Sequence, residues 1–346
     1  MGPGLIYGAY GYTGELVARR AVARGLHPIL AGRRAEALAP LARELALEHR
    51  AFALDAPAAL HRGLAGAGAV LHCAGPFSRT ARPMALGCLR ARCHYLDITG
   101  EVAVFESLAE LGADARDAGV MLLPGAGFDV VPSDCLAAHV AARLPGATRL
   151  VIAFRASGGL SRGTALTAIE GLGEGGLVRR DGALTRVPLR ARTLDLGDGP
   201  LEVLGLPLGD LVTAWHSTGI PDIEVYATAP RLLRAVAPAL RLAGPLLGSA
   251  PVRRLLAARI RAGAPGPAAE ERARGRATLW AEAAAGGRRA AARLDTPDSY
   301  TLTSLTAVAV LERALAGDVP PGFQTPSKAF GADFVLTAEG TARRDL

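Results

Sequence analysis

Lysine is nearly absent from this chain of 346 residues: Lys328 is alone among 39 basic side chains. A Schiff-base enzyme would depend on it, and the Tyr-x-x-x-Lys pair of short-chain dehydrogenases is excluded, because Gln324 stands four residues before it. Cysteine is scarce too. Cys73, Cys88, Cys93 and Cys135 are too few for a disulfide framework, and none are spaced C-x-x-C. His72-Cys73 and Cys93-His94 are adjacent pairs that a strand would point to opposite faces, so no metal site is expected and the thiols read as small core residues. Aromatics make up 5% of the chain, too few to stack on bases, so nucleic acid is not an expected partner. There is no apolar run of about 18 residues to span a membrane. No basic-then-apolar leader precedes the first glycine motif, and the expected setting is cytoplasmic and reducing.

What is present is rhythm. Through residue 125, short apolar runs alternate with amphipathic ones, the pattern of a parallel sheet with helical crossovers. Strands are expected at Gly4–Gly8, Pro28–Ala31, Ala51–Leu54, Ala69–Ala74, His94–Ile98 and Val120–Leu123. Helices are expected at Gly14–Arg24, Ala35–Glu48, Pro57–Leu64, Thr80–Ala91 and Glu101–Ala118. This is an α/β chain that opens with a doubly wound (Rossmann) parallel sheet over residues 1–125. A second, α+β domain with a mostly antiparallel sheet is expected over 126–346, for substrate binding and dimerisation. Its expected elements are a helix Pro132–Leu144 and strands Arg149–Ser157, Leu201–Leu208, Leu211–Thr218 and Ile223–Ala229. A hairpin Arg276–Ala285/Arg288–Leu294 turns at Gly286-Gly287, and a helix Ser299–Ala316 follows. The arginine-rich stretch 231–263, broken by three prolines, reads either as surface helices or as a basic amphipathic element against a membrane or an acidic partner.

Gly8-Ala9-Tyr10-Gly11-Tyr12-Thr13-Gly14 is a G-x-x-G-x-x-G turn between a strand and a helix. A pyrophosphate needs backbone N–H donors at a helix N-terminus and no Cβ where the chain approaches it. Gly8 and Gly11 supply the turn and the approach, and Gly14 lets the helix sit on the sheet. The second strand ends in Gly32-Arg33-Arg34, where an NAD-binding fold usually carries Asp or Glu. Arginine holds a 2′-phosphate bidentately and stacks on adenine, so NADP(H) is the expected cofactor. Asp55 is a candidate for the adenine amino group, or a cap for the Pro57 helix. The fourth strand ends in Ala74-Gly75-Pro76-Phe77, small residues over which the nicotinamide ribose can pass, with Phe77 as a wall. Tyr95, Asp97, Thr99, Glu101 and Asp129 close the next two strands, as candidates to donate a proton or orient substrate; Thr99 and Glu101 double as helix caps and Asp129 as a hinge residue.

These motifs, with Tyr95–Glu101, Pro124–Asp134 and Gly322–Phe334, resemble the saccharopine dehydrogenase-like oxidoreductases, and within them the trans-acting enoyl reductase branch. The resemblance implies an NADP-binding domain, a second α+β domain, and NADPH-dependent reduction. For that branch it implies a carbon–carbon double bond in a polyketide-derived lipid precursor, held as a thioester on a carrier. Of the site residues, only the cofactor turn carries over, onto Gly8, Gly11 and Gly14. Hydride would go to the β-carbon, the thioester oxygen would gather charge, and Tyr95, with Thr99 behind it, is the expected donor. The excess of 39 basic over 32 acidic side chains, +7, suits an acidic acyl-carrier protein as partner, and a homodimer fits the exposed second sheet.

Two other classes compete. A non-catalytic, membrane-associated NADP(H)-binding adaptor would dock through 231–263. A serine hydrolase would use Ser161 in Gly159-Leu160-Ser161-Arg162-Gly163, with Asp195 or Asp210 and His216. It leaves the glycine turn and Arg33-Arg34 without a role, and a serine opening a helix is an ordinary cap.

Overall fold

The computed structural model describes residues 2–157, 159–170, 175–228 and 249–346. The chain forms two compact units, Met1–Val131 with Ser299–Glu339, and Pro132–Asp298 with Gly340–Leu346.

In the first unit the strands are β1 Gly4–Tyr7, β2 Ile29–Gly32, β3 His49–Ala51, β4 Ala69–His72, β5 His94–Asp97 and β6 Met121–Leu123. Between them lie α1 Tyr12–Ala23, α2 Ala35–Leu45, α3 Pro57–Leu64, α4 Phe77–Ala91, α5 Val102–Ala109 and α6 Gly112–Asp117. The sheet runs β6-β5-β4-β1-β2-β3, with Gly322–Phe323 added beside β6, and every pairing is parallel. That order is the doubly wound one, and it puts the carboxyl ends of β1 and β4 side by side, where such sheets bind ligands. β1, β2, β4 and β5 are buried along their whole length, as expected of a parallel sheet covered on both faces.

The helix Ser299–Ala316 returns to this unit and packs on α1. Tyr300 meets the edge of Tyr12 at 5.1 Å, and Arg24 pairs with Glu312 at 3.0 Å. The same helix pins the loop after β6: Thr306 Oγ1 donates to the Ala126 carbonyl at 2.8 Å, and the Phe128 amide donates to Thr303 Oγ1 at 3.0 Å.

Local differences from the sequence reading have local causes. The third strand lies at His49–Ala51 rather than 51–54, because Phe52 turns its buried ring under Gly63. The helix expected over 101–118 breaks into α5 and α6 at Leu111, whose φ and ψ of −83° and 2° leave the helical range. The expected strand Leu211–Thr218 is instead a helix, Asp210–Thr218, closed by Gly219 at a φ of 69°. Its run Leu-Val-Thr-Ala-Trp is apolar and short, and hydrophobic periodicity alone does not distinguish a strand from a buried helix there.

In the second unit a nine-stranded mixed sheet carries the core. Arg149–Ala156 lies at its centre, parallel to Asp222–Ala227 and antiparallel to Arg276–Ala285. The last of these turns at Gly286 and Gly287, both at positive φ, into Arg288–Pro297. Val151, Ala153, Val203, Tyr226 and Trp280 form a core cluster on one face. The short strands Gly176–Arg180, Ala183–Val187, Ala191–Asp195 and Ala342–Asp345 were not anticipated from the sequence. Of the 231–263 stretch, Ala250–Ala262 is a helix carrying Arg253, Arg254, Arg259 and Arg261; residues 231–248 lie outside the described residues. Among the described residues, no helix is long and apolar enough to cross a membrane.

Candidate functional site

The glycine turn joins β1 to α1 with backbone packed on backbone. Gly8 has a φ of 85°, a left-handed conformation, and a Cβ there would stand 2.8 Å from the Ala74 Cβ at the tip of β4. A Cβ on Gly14 would stand 2.2 Å from the Gly8 carbonyl oxygen, so α1 closes directly on the turn. Gly11 differs: its Cβ would meet only the Gly8 oxygen, at 3.1 Å, and otherwise open space. Gly11 is also the N-cap of α1 and, being glycine, brings no side chain of its own to cap the helix. A helix start of this kind, facing a gap that a Cβ would narrow, fits a bound pyrophosphate, with the Tyr12, Thr13 and Gly14 amides as its donors.

The adenosine side lies at the ends of β2 and β3. Tyr10 covers Gly32, where a Cβ would stand 2.6 Å from the ring, and the Arg34 guanidinium lies 5.1 Å from the Tyr10 centroid. Arg33 and Arg34 are exposed at the start of α2, and no side-chain hydrogen bond caps that helix. The Tyr7 hydroxyl donates to the Phe52 carbonyl at 2.9 Å, and its pKa is raised to about 12 by burial, against the lowering effect of Arg33. Asp55 acts on the same hydroxyl, so Arg33 and Asp55 flank one spot; α3 begins at Ala56 without a side-chain cap.

Where the sequence places the nicotinamide as an expectation, the carboxyl ends of β4, β5 and β6 meet around Asp97. Tyr95 donates its hydroxyl to Asp97 Oδ2 at 2.6 Å, while Oδ1 accepts the Thr99 and Gly125 amides, each at 2.9 Å. Burial outweighs these bonds and lifts the Asp97 carboxyl to about 6, and it pushes the Tyr95 hydroxyl well above its ordinary range. Tyr95, Asp97 and Thr99 are all fully buried, and together they tie the loops after β5 and β6 to each other. Glu101 accepts the Phe77 and Ser78 amides at 3.1 and 3.0 Å, capping α4 from another element; this starts the helix at Phe77 rather than at Thr80. Thr80 Oγ1 in turn donates to the Ala74 carbonyl at 2.8 Å, fixing the Ala74-Gly75-Pro76 turn. Asp129 is an exposed residue whose carboxyl packs against Gly100, where a Cβ would stand 3.0 Å from Oδ2, and the protein around that carboxyl desolvates it enough to raise its pKa to about 6.

His72, beneath this cluster, entered the sequence reading only beside Cys73, as a pair that a strand would split between two faces. It is fully buried among Tyr7, Phe77 and Tyr95, at ring distances of 5.5, 5.4 and 6.3 Å. Neither ring nitrogen has a hydrogen-bond partner, and burial drives its pKa down to about 3. Below pH 6.5 the unfolded chain takes up a proton that the folded chain refuses until about pH 3, so His72 subtracts stability as pH falls through that window. Asp97 and Asp129 act with the opposite sign between about 6 and 3.8, because the folded state protonates first. A comparison of His72→Phe with the parent chain cancels the aspartates. The advantage of the variant should grow by about 2 kcal/mol between pH 7.5 and pH 5 in denaturant melts. A constant difference would rule out a neutral buried imidazole.

Ser161 accepts the Thr164 amide at 3.2 Å and caps the helix Arg162–Glu170. Asp210 and His216 sit six residues apart on one helix, which points them in different directions; the triad order seen in the sequence has no matching geometry there.

Residues 5–123 match the saccharopine dehydrogenase NADP binding domain family. A Mycobacterium tuberculosis protein carrying the trans-acting enoyl reductase name is 31% identical over 180 residues, 48% of this chain and 43% of that one. A trans-acting enoyl reductase of Mycobacterium bovis is 33% identical over 138 residues, 38% of this chain and 33% of that one. The matched stretch is thus under half the length of these curated relatives. In fold, the chain is similar along 100% of both chains to the apo saccharopine dehydrogenase (L-Glu forming) of Saccharomyces cerevisiae, with a TM-score of 0.65 at 11% identity.

Proposed function

From the premise that residues 5–123 are an NADP-binding domain of the saccharopine dehydrogenase family, we propose that the chain is an NADPH-dependent oxidoreductase acting on an enoyl thioester of a polyketide-derived lipid precursor. The observation that carries the reading is the α1 start at Gly11, where a Cβ would meet only the Gly8 oxygen, together with the exposed Arg33 and Arg34 after β2. The enoyl substrate rests on the relatives' names and on the chemistry of the strand ends.

Bound NADPH supplies hydride to the β-carbon of the thioester. The chain's own residues have three tasks. Gly8, Gly11 and Gly14 shape the turn that brings the Tyr12, Thr13 and Gly14 amides to the pyrophosphate; Tyr10, Arg33 and Arg34 hold the adenosine end with its 2′-phosphate. Tyr95, Asp97 and Thr99 are positioning residues: the Asp97 carboxyl gathers a hydroxyl and two amides from three chain segments and so sets the loops that face the nicotinamide. The proton for the α-carbon falls to Asp129, an exposed residue whose carboxyl is raised to about 6 by desolvation. An acidic acyl-carrier protein in the cytoplasm suits the +7 charge as the donor of the substrate.

The test is oxidation of NADPH in the presence of a carrier-bound or pantetheine-linked enoyl thioester, with the saturated thioester as product. Asp129→Asn should lower kcat by about 100-fold and leave NADPH affinity unchanged. In the parent, kcat should fall as pH rises through about 6, where Asp129 loses its proton, and the variant should lack that limb. No product from any enoyl thioester sinks the substrate assignment; an unaltered kcat in the variant moves the proton elsewhere.

A further inference from the structure

The sheet of the second unit forks beside Asp222–Ala227. Pro200–Gly205 pairs with that strand at Tyr226 and Ala227, and Gly176–Arg180 pairs with it at Ile223. The two diverge around Glu224 and Val225, and a small cavity of about 30 Å³ lies in the fork. Val178, Arg180, Val187, Arg190, Glu224 and Tyr226 line it. Gly176 and Gly205 leave two walls bare: a Cβ on Gly176 would stand 3.1 Å from the Val187 oxygen, and one on Gly205 would lie 3.6 Å from the Tyr226 ring.

Charge in the fork is lopsided. Glu224 is only 7% exposed. Burial pushes its carboxyl up, but the Tyr226 hydroxyl and the Arg180 and Arg149 guanidiniums outweigh it and hold the group below the usual carboxylate range. Tyr226 donates to Glu224 Oε2 at 2.7 Å; Arg180 bonds Oε1, Arg149 stands 3.6 Å from Oε1, and Arg192 stands 3.5 Å from Oε2. The carboxylate is therefore fully engaged. Asp222, the other acid on the strand, accepts the Asp181 amide at 3.0 Å. Arg190 lines the same cavity and, among the described residues, pairs with no carboxylate. Arg149, Arg180 and Arg192 thus stand around one buried negative charge, and Arg190 adds a further guanidinium at the cavity wall.

We propose that this fork is a binding site for a phosphate group, taken between Arg190 and the outward edge of Arg180. A guanidinium fork matches phosphate geometry, and a dianion offsets more of the surplus charge than a carboxylate does. The site is separate from the cofactor loop in sequence and sheet, and the proposal stands whether or not the chain reduces a double bond.

Calorimetric titration with inorganic phosphate, on protein already saturated with NADP⁺, tests it with the cofactor loop occupied. One saturable site is expected, weakened at least tenfold by Arg190→Ala and abolished by Arg190→Glu, with NADP⁺ affinity and melting temperature unchanged. A parallel titration with 4′-phosphopantetheine assigns the source. Tighter binding than inorganic phosphate points to a carrier arm, and equal binding to a free phosphate; both support the site. Absence of saturable binding, equal binding by Arg190→Ala, or displacement of phosphate by equimolar succinate overturns it.

Discussion

Replacing Arg33 and Arg34 together with alanine is expected to weaken NADPH binding by about 100-fold and to leave NADH binding within about threefold. The size follows from the bonds removed. A charge-assisted hydrogen bond from arginine to phosphate contributes on the order of 1.5–3 kcal/mol, and two lost guanidiniums amount to about two decades of affinity. The direction for the free protein is the informative part. Both arginines are exposed, and Arg34 is the N-cap of α2, where a cation opposes the helix dipole at a cost of about 0.3–1 kcal/mol. With no cofactor present, the double variant should therefore melt at or slightly above the parent. Residues that destabilise the empty protein while tightening one coenzyme are there for that coenzyme. Fluorescence titrations with both nicotinamides, beside thermal melts, check both halves. An equal loss for NADH and NADPH would assign the arginines to the fold or to the shared pyrophosphate.

Strands β1, β2, β4 and β6 were legible because each is buried and so spelled as an apolar run beside turn residues, whereas β3, His49–Ala51, is polar and largely exposed, and its expected span fell at 51–54 instead. Gly4–Tyr7 and Ala69–His72 differ from their sequence-read spans only at the carboxyl ends. The helix Ser299–Ala316 was legible to its last residue, yet its packing on α1 was not, because nothing local encodes the Tyr12–Tyr300 contact across most of the chain. The arginine-rich strands between Gly176 and Asp195 escaped notice for a different reason. They are short, half-exposed and turned by Asp181-Gly182, and their alternation is too brief to separate from a polar loop. At the site, the cofactor turn was readable because phosphate binding by backbone demands glycine in the sequence itself. Tyr95, Asp97 and Glu101 were readable only as polar residues at strand ends. That Asp97 would draw Tyr95 inward and that Glu101 would cap α4 are non-local outcomes of packing, and no spacing announces them.

The three glycines of the turn should separate stability from binding. In Gly14→Ala the new methyl would stand 2.2 Å from the Gly8 oxygen, 2.9 Å from its carbonyl carbon and 3.0 Å from the Ala9 Cα, all backbone atoms that no rotamer change relieves. Either α1 lifts from β1 or the Gly8 turn unwinds, and both disturb the buried contacts of Val17, Ala18 and Ala21. Overpacking against side chains costs roughly 1–3 kcal/mol, so against rigid backbone the loss should reach at least about 3 kcal/mol. Gly11→Ala is the contrast. Its φ and ψ of −77° and 159° suit alanine, its methyl would meet one oxygen at 3.1 Å, and the remaining space is open. Stability should change by less than about 1 kcal/mol. The methyl would stand where the pyrophosphate approaches, however, and NADPH affinity should fall by about 100-fold, with NADH falling in parallel because both share that group. Denaturant melts and coenzyme titrations on the two variants decide the matter: a Gly11→Ala protein that binds NADPH as the parent does would remove the pyrophosphate from this loop, and with it the geometric basis for the cofactor site.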